Sequence, residues 1–209
     1  MNNIRYKSFI VNRDNSHGIL KIKLTPRTGD KRSYYIRANF DGRFTSGFPD
    51  IADEICRNIS PILPKKTQRE VIIGFAEGSL ILAYVLAKIR GSNFACSTKT
   101  QRSDLKSVIE FAEEHRSFIP SHYLYSLRKN DEVIIFEDEI STGKTVINAY
   151  EQLRKYGFSI KAIASIVEIT NFDGRKKIKD STNLDLVSLT SITLIWFSKM
   201  PMTILYFHT

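Results

Sequence analysis

Cysteine is scarce in this 209-residue sequence, which contains two, Cys56 and Cys96. Their separation matches no spacing of metal ligands, and two cysteines cannot build the disulfide framework of a small secreted domain. Neither cysteine lies in a recognisable nucleophile motif. The sequence therefore argues against a zinc module and a disulfide-stapled fold, and we expect a reducing environment.

Long hydrophobic runs are also missing. The most apolar stretch, ITLIWFSKMPMTILYF at 192–207, is too short for a membrane span and is interrupted by Lys199 and Pro201. The first residues, MNNIRYKSF, lack the apolar core of a signal peptide. We therefore expect a cytoplasmic protein without a membrane partner.

Acidic residues are outnumbered by basic ones. The sequence has 22 Asp and Glu against 31 Lys and Arg, a net charge of +9. Such an excess suits an anionic partner, whether a phosphorylated small molecule, a nucleic acid or an acidic surface. Hydrophobic residues make up 42% of the chain, which is ordinary for a folded domain. The length suits one sizeable domain, or a domain with a small appended element.

The first 45 residues predict a small β-rich element. YKSFIV, GILKIKLT and SYYIRANF are rich in β-branched and aromatic residues, and turn-prone NRDNSHG and PRTGDKR separate them. This is the pattern of a meander rather than of a strand followed by a helix. The element is also strongly basic, which is an electrostatic footprint for phosphate backbones. Binding of nucleic acid is therefore one hypothesis for residues 1–45.

The remaining residues, 46–209, predict an α/β core. Continuous apolar runs alternate with helical patterns, which favours a parallel, doubly wound sheet covered on both faces. The predicted strands are EVIIG, NFACST, DEVIIFEDEI and IKAIASIVEI, and the predicted helices lie at 49–63, 79–91, 103–115 and 143–157. The helix at 103–115 would be capped by Ser103 or Asp104. NFDGRKKIKD at 171–180 predicts a charged loop.

One stretch, VIIFEDEISTGKT at 133–145, combines a buried strand with a polar turn and the start of a helix. Ligands of open α/β sheets bind beyond the carboxyl ends of the strands. Gly143 permits a tight turn, and the hydroxyls of Ser141, Thr142 and Thr145 can join the backbone N–H groups of the following helix. The segment therefore predicts a cradle for an anion such as phosphate.

A nucleotide-binding P-loop is excluded for this segment, although STGKT resembles its end. The P-loop requires a glycine five positions before Gly143, and the sequence has Asp138 there. A carboxylate at that point would repel the phosphates. Glu137 and Asp138 can instead accept hydrogen bonds from two vicinal hydroxyls, which suits a sugar phosphate. The alternative is a polar turn that caps the helix, but a cap does not need the two preceding acids.

Four apolar residues, two acids and then Ser-Thr-Gly-x-Thr form a pattern similar to the PRPP-binding motif of type I phosphoribosyltransferases (PRPP is 5-phosphoribosyl 1-pyrophosphate). The resemblance implies a Rossmann-like core that transfers the phosphoribosyl group of PRPP to a nucleobase or base-like acceptor. Glu137 and Asp138 would be the catalytic acids that hold the ribose. The 5'-phosphate would lie on Ser141, Thr142, Gly143, Lys144 and Thr145. Taken alone, Lys144 is equally well an exposed lysine of the first helical turn.

The same resemblance implies a pyrophosphate site on two other segments. The first is the turn after an earlier strand, with Gly74, Phe75, Ala76 and Glu77, which could also be an ordinary strand-to-helix turn. The second is STKTQR at 97–102, where the family has a mobile loop that closes over the substrate. Lys99 and Arg102 would contact pyrophosphate there; as isolated residues they are more often solvated. The implied cofactor is Mg²⁺, held largely by the ligand, with Glu137 and Asp138 as candidate protein ligands.

GFAE at 74–77, EFAEEH at 110–115, His122 and EDEISTGKT are similar to a narrower subgroup, found in tellurium-resistance and stress operons. Glu113, Glu114 and His115 can form a magnesium or base-facing cluster, or the polar face of an amphipathic helix. Of these, Glu114 and His115 are the candidate acceptor or metal site. The spacing around His115 and His122 departs from the subgroup pattern, so the roles of both histidines stay open.

Two hypotheses of function follow from the sequence. The first is an active phosphoribosyltransferase, which the retention of both acids favours. The second is a module that senses PRPP or a nucleotide and acts through another partner, in which case the basic N-terminal element would contact nucleic acid. No motif in residues 1–45 or 175–209 identifies the acceptor base. The apolar C-terminal segment could pack on the core or form a homodimer contact.

Overall fold

The computed structural model describes residues 8–12, 19–26, 34–38, 40, 48–113, 120–193 and 206–207. These residues form eleven strands and four α-helices. The strands are β1 (Ser8–Asn12), β2 (Ile19–Pro26), β3 (Tyr34–Ala38), β4 (Glu70–Gly74), β5 (Asn93–Cys96), β6 (Ile109–Ala112), β7 (Pro120–Leu124), β8 (Glu132–Ile140), β9 (Ser159–Ile169), β10 (Leu186–Thr193) and β11 (Tyr206–Phe207). The helices are α1 (Phe48–Ile59), α2 (Leu80–Arg90), α3 (Lys144–Lys155) and α4 (Gly174–Thr182).

The three N-terminal strands form an antiparallel sheet in the order β1-β2-β3, as the sequence predicts. Just after β3, Phe40 is buried together with Ala38 in the same hydrophobic cluster as helix α1. The end of the meander is therefore attached to the α/β core by apolar contacts.

The main sheet has the order β11-β10-β9-β8-β4-β5. Five of its strands are parallel neighbours, and β11 joins the edge strand β10 in the antiparallel sense. The predicted doubly wound α/β core is thus confirmed. Each predicted strand and three of the four predicted helices appear close to their expected positions.

Alternate residues of the central strands supply two separate hydrophobic clusters. Ile72 and Ile134 belong to the cluster that contains the buried faces of α1 and α2. Val71 and Val133 belong to the opposite cluster, which contains the buried residues of α3 and Ile178 of α4. Since successive side chains of a strand point to opposite faces, this division covers both faces of the sheet with helices.

The helix predicted at 103–115 is wrong. Residues 109–112 form β6, which pairs with β7 in an antiparallel hairpin. Ile109 and Phe111 are buried and the residues between and after them are half-buried, so burial alternates with the period of a strand. Leu105, which a helix would have placed on the same face as Ile109, is 43% exposed. Pairing with β7 and burial of Phe111 outweigh the helical pattern of the isolated sequence.

The loop predicted at 171–180 is also wrong. A 3₁₀ turn at Thr170–Phe172 leads into α4. Gly174 and Ile178, one turn apart, are buried on one face of this helix despite its charged sequence. The Arg175 guanidinium pairs with the buried Glu168 carboxylate on β9. Tertiary contacts therefore order a segment that has almost no apolar pattern of its own.

Candidate active site

The crevice between the carboxyl ends of β4 and β8 is the switch point of the sheet. From β4 the chain crosses through α2 to β5 on one side, and from β8 it crosses through α3 to β9 on the other. Connections that leave in opposite directions open a crevice where ligands of such sheets bind. Gly74 is paired with Phe136 at this edge. The segments that follow these two residues therefore face each other.

Contacts between these two segments involve both acids. The Ser79 hydroxyl donates a hydrogen bond of 2.8 Å to Oε2 of Glu137 and accepts one of 2.8 Å from the backbone N–H of Phe75. A Cβ atom placed on Gly78 would lie 2.3 Å from Oδ2 of Asp138. Only a glycine leaves room for the carboxylate at that distance. The structure thus brings the 74–79 turn directly against the acids.

The electrostatics of the acid pair favour a ligand that brings hydrogen-bond donors or positive charge. Burial raises the pKa of the Glu137 carboxyl well above its ordinary value, and the Asp138 carboxylate raises this pKa further. The hydrogen bond from Ser79 and the positive charge of Lys99 act in the opposite direction. Two close carboxylates with limited access to water are poorly compensated by the protein alone.

The strand that carries the acids has the extent that the sequence predicts. β8 continues through both acids to Ile140, and its buried apolar run, 133–136, ends just before them. Pairing with β9 continues over this part, with Glu137 opposite Ser165 and Ile140 opposite Glu168. The carboxylates are therefore mounted on a rigid strand rather than on a loop, which favours a fixed geometry.

The predicted anion cradle lies at the start of α3. Gly143 has φ 72°, the left-handed conformation that favours glycine, and Lys144 begins the helix. A Cβ on Gly143 would lie 2.8 Å from Cγ1 of Ile178. Ser141 is buried, Thr142 and Thr145 are half-buried and Lys144 is exposed. Backbone N–H groups at a helix start, with hydroxyls beside them, are suited to a phosphate.

Helix α4 packs against the backbone of this cradle. A Cβ on Gly174 would lie 2.1 Å from the carbonyl oxygen of Ser141. Ile178 of the same helix contacts Gly143 as described above. The segment that the sequence predicts to be a charged loop is therefore the floor of the candidate phosphate site.

The two cations expected at the pyrophosphate site have different surroundings. Lys99 lies near the 74–79 turn, and its ammonium is 3.0 Å from Oε1 of Glu113. Arg102 is more than half exposed, and its guanidinium pairs with Asp104 at 2.8 Å. The structure thus joins Lys99, but not the guanidinium of Arg102, to the group of residues at the crevice.

Several contacts of the site were not predicted from the sequence. Gly78 and Ser79 contact the acids, and Ser97 accepts a hydrogen bond of 3.1 Å from the backbone N–H of Ala76. His122 is buried beside Phe75, with ring centroids 5.4 Å apart. Ser79 and Gly78 adjoin the GFAE segment and could have been included with it. Ser97 belongs to the STKTQR segment and His122 to the subgroup pattern, but the local sequence does not predict that the two residues meet.

Glu114 and His115, the candidate acceptor or metal site, lie outside the described residues. Within the part of the chain that the structure covers, no group of three or more His, Cys, Asp or Glu side chains could hold a metal ion. Glu137 and Asp138 can offer two carboxylates. This fits a Mg²⁺ ion whose remaining oxygen ligands come from a phosphorylated substrate and water.

No helix within the described ranges is long and apolar enough to span a membrane.

Comparison with known proteins gives matches in one family. A family model described as phosphoribosyl transferase matches residues 22–196. An orotate phosphoribosyltransferase from Thermotoga maritima is 26% identical over 121 residues, which cover 58% of this chain and 56% of that protein. An adenine phosphoribosyltransferase from a Marinomonas species is 39% identical over 56 residues, covering 27% and 31% of the two chains. The chain thus spans about half the length, or less, of these curated relatives.

Solved structures with the same fold include an adenine phosphoribosyltransferase from Rhodothermus marinus, with a TM-score of 0.66 and 16% identity over 82% of this chain and 94% of that one. Another is the enzyme from Trypanosoma brucei in complex with AMP, pyrophosphate and ribose-5-phosphate, with a TM-score of 0.64 and 16% identity. It covers 81% of this chain and 76% of that one. At this identity the likeness concerns the fold.

Proposed function

Because the chain belongs to the phosphoribosyltransferase family, we propose that it transfers the 5-phosphoribosyl group of PRPP to a nucleobase or base-like acceptor and releases pyrophosphate. The observation that carries this proposal is the pair Glu137 and Asp138 at the switch point of the sheet. The pair lies on β8, just before the cradle 141–145, and directly faces the turn 74–79.

The three parts of PRPP correspond to three parts of this crevice. The two carboxylates would accept hydrogen bonds from the ribose 2'- and 3'-hydroxyls. The start of α3 would hold the 5'-phosphate on backbone N–H groups and on the hydroxyls of Ser141, Thr142 and Thr145. The 74–77 turn and Lys99 would contact the pyrophosphate group. These assignments extend the family resemblance to named atoms of this chain.

The proposed reaction breaks the bond between C1' of the ribose and the pyrophosphate oxygen, and forms a bond between C1' and a nitrogen of the acceptor. Positive charge develops on the ribose as the leaving group departs. Glu137 and Asp138 lie where their negative charge would offset it, and Lys99 would stabilise the charge on the departing pyrophosphate. Positioning and charge stabilisation of this kind need no covalent protein nucleophile.

The acid pair also fits Mg²⁺. When bound, the ion would neutralise phosphate charge and so reduce repulsion between the ligand and the carboxylates. The described residues offer two carboxylates and no third acidic or imidazole ligand, so the ligand itself would supply much of the coordination.

Calorimetric titration with PRPP, with and without Mg²⁺, tests the binding step. We expect Mg²⁺-dependent binding that Asp138→Asn weakens by at least about tenfold, because a hydrogen bond to a charged group contributes roughly 1.5–3 kcal/mol. Asp180→Asn, on the exposed side of α4, is the charge-matched control and should bind PRPP like the wild type. Absence of PRPP binding by the wild type would refute the proposal.

Release of pyrophosphate tests the chemical step. PRPP and Mg²⁺ are mixed with the protein and a panel of purine and pyrimidine bases, including adenine and orotate, on which the compared relatives are named to act. We expect release with at least one base. Binding of PRPP without release on any base would instead indicate a PRPP-sensing module.

We also propose that the chain belongs to the subgroup associated with tellurium resistance and stress. Support comes from GFAE at 74–77 and from His122, whose ring lies against Phe75. If the proposal is correct, a strain in which the gene is disrupted should grow worse on tellurite than its parent, and the intact gene should restore growth. Equal growth of the two strains would count against it.

A further inference from the structure

The buried imidazole of His122 joins two segments at the edge of the crevice. Its Nδ1 atom is 2.8 Å from the Ser97 hydroxyl, and its Nε2 atom is 3.1 Å from the Lys99 ammonium. Ser97 lies just after β5 and His122 lies on β7, so two segments far apart in the chain meet here. The sequence assigns no function to this contact.

The partners of the two ring nitrogens define the tautomer. An ammonium group can only donate hydrogen bonds, so Nε2 of His122 must be the acceptor. The proton of the neutral ring is then on Nδ1, which donates to Ser97 Oγ. The same oxygen accepts the hydrogen bond from the backbone N–H of Ala76. A continuous chain of hydrogen bonds therefore runs from the 74–79 turn to Lys99.

The surroundings keep this imidazole neutral and fixed. It is 1% exposed and is stacked on the Phe111 ring, with centroids 4.9 Å apart and planes 6° from parallel. Burial, and then the charge of Lys99, lower the pKa of His122 to about 4, although Glu113 acts in the opposite direction. At neutral pH Nε2 is thus available as an acceptor.

Lys99 has a second partner that is more exposed. Its ammonium contacts Glu113 Oε1 at 3.0 Å, and both side chains are about one-third exposed, 35% and 37%. The backbones of Thr98 and Tyr123 exchange hydrogen bonds of 2.9 and 3.0 Å, which fix the segment that carries Lys99 against β7. The charge of Lys99 reaches the acid pair, since it opposes the rise in the pKa of Glu137.

We propose, on the basis of the proposed function, that His122 is a positioning residue that holds the Lys99 ammonium at the pyrophosphate subsite before the ligand binds. Glu113 is the counter-ion that pyrophosphate displaces. The buried ring keeps its hydrogen bond to Lys99 throughout, whereas the partly exposed Glu113 carboxylate gives way to the ligand. Immobilising a long side chain in advance reduces the entropy lost on binding.

Two ligands separate this role from a general effect on the site. PRPP with Mg²⁺ carries pyrophosphate, and ribose 5-phosphate does not. His122→Phe keeps an aromatic ring to stack on Phe111 but removes both nitrogens. We expect it to weaken PRPP binding by about three- to tenfold, the range that corresponds to the ordering of one flexible side chain. Its affinity for ribose 5-phosphate should equal that of the wild type, and KM for PRPP should rise more than kcat falls.

A double-mutant cycle tests whether His122 acts through Lys99. Once Lys99→Met has removed the ammonium, adding His122→Phe should cause no further loss of PRPP affinity. Lys106→Met, an exposed lysine of the same segment, is the matched control for the lost charge and should bind PRPP like the wild type. Multiplicative losses in the double variant would overturn the proposal, as would equal weakening of both ligands by His122→Phe.

Glu113→Gln provides a second test that does not alter the buried ring. Removal of the competing carboxylate should tighten PRPP binding by about two- to fivefold, as expected for an exposed ion pair. Unchanged or weaker binding would overturn the role of Glu113 as the displaced counter-ion. Normal PRPP binding by the wild type, combined with no effect of His122→Phe, would refute this inference alone. Failure of the wild type to bind either ligand would refute the proposed function and this inference together.

Discussion

Replacement of Gly78 by alanine tests whether the facing turn sets the position of the Asp138 carboxylate. The added Cβ would lie 2.3 Å from Oδ2, 2.8 Å from Cγ and 3.1 Å from Oδ1 of Asp138. Gly78 is not among the glycines with positive φ, so alanine introduces no strain from a left-handed backbone. The perturbation is therefore steric and is directed at one carboxylate.

The size of the effect follows from the distances. Ordinary contact begins near 3.4 Å, so the 2.3 Å approach forces Oδ2 to withdraw by about 1 Å. A displacement of that size in a positioned catalytic group lowers the rate by about 100-fold. The side chain can move without rebuilding the core, and its withdrawal breaks the hydrogen bond of 2.9 Å that Oδ1 accepts from the Glu139 N–H. That loss reduces the free energy of unfolding by about 1 kcal/mol.

The assay compares kcat/KM for PRPP with stability from urea denaturation. Gly157→Ala is the matched control, because its Cβ would meet nothing within 4 Å although φ is 83°. The control should lose about 1–2 kcal/mol of stability through backbone strain and keep kcat/KM. Gly78→Ala should lose about 100-fold in kcat/KM, with a loss of stability no greater than that of the control, about 1 kcal/mol. Unchanged kcat/KM in Gly78→Ala would refute the reasoning that the glycine exists to admit the Asp138 carboxylate.

The remaining predictions concern the buried ion pair of Glu70 and Arg90 at the opposite edge of the sheet, whose side chains are 4% and 6% exposed. Glu70→Gln should lower the free energy of unfolding by about 3 kcal/mol in urea titrations, because it leaves the buried charge of Arg90 without its carboxylate partner. The control is Asp53→Asn, at an exposed ion pair, which should change the free energy of unfolding by less than about 1 kcal/mol. Equal losses in the two variants would contradict this prediction. Burial acts to raise the pKa of Glu70, but hydrogen bonds from Arg90 and Ser92 outweigh it and lower the pKa. The folded pKa thus lies below the unfolded value of about 4.3, so the stability that this pair adds is complete above that pH and is lost as the pH falls through the folded pKa. The wild type should therefore lose more stability than Glu70→Gln between about pH 5 and pH 3; parallel curves would contradict the assignment.

Much of the fold was predictable because it depends on local patterns. Ile55 and Ile59 recur at helical spacing and are buried in α1, and α2 ends at Gly91, whose φ of 63° suits a glycine. Continuous apolar runs such as 133–136 are buried strands in the centre of the sheet. Patterns of this kind reflect burial on one face or on both, and they can be read without knowledge of the rest of the chain.

The errors arose where distant contacts outweigh the local pattern. Residues 109–112 form a strand because β7 pairs with them and Phe111 stacks on His122. Helix α4 forms because Gly174 and Ile178 pack under the phosphate cradle. In both places the residues that stabilise the structure come from another part of the chain, so their effect has no periodic signal in the segment itself.

The candidate site divides in the same way. Glu137, Asp138 and the cradle at 141–145 are contiguous on one strand, loop and helix, so the sequence by itself determined their relation, and it predicts the kind of ligand that they suit. Which segments face them was decided by the tertiary structure. The order of the parallel strands places Gly78 and Ser79 against the acids, and the β6–β7 hairpin places His122 beside Lys99. Strand order and side-chain contacts arise from packing between elements remote in sequence, where small differences in shape and charge select the arrangement.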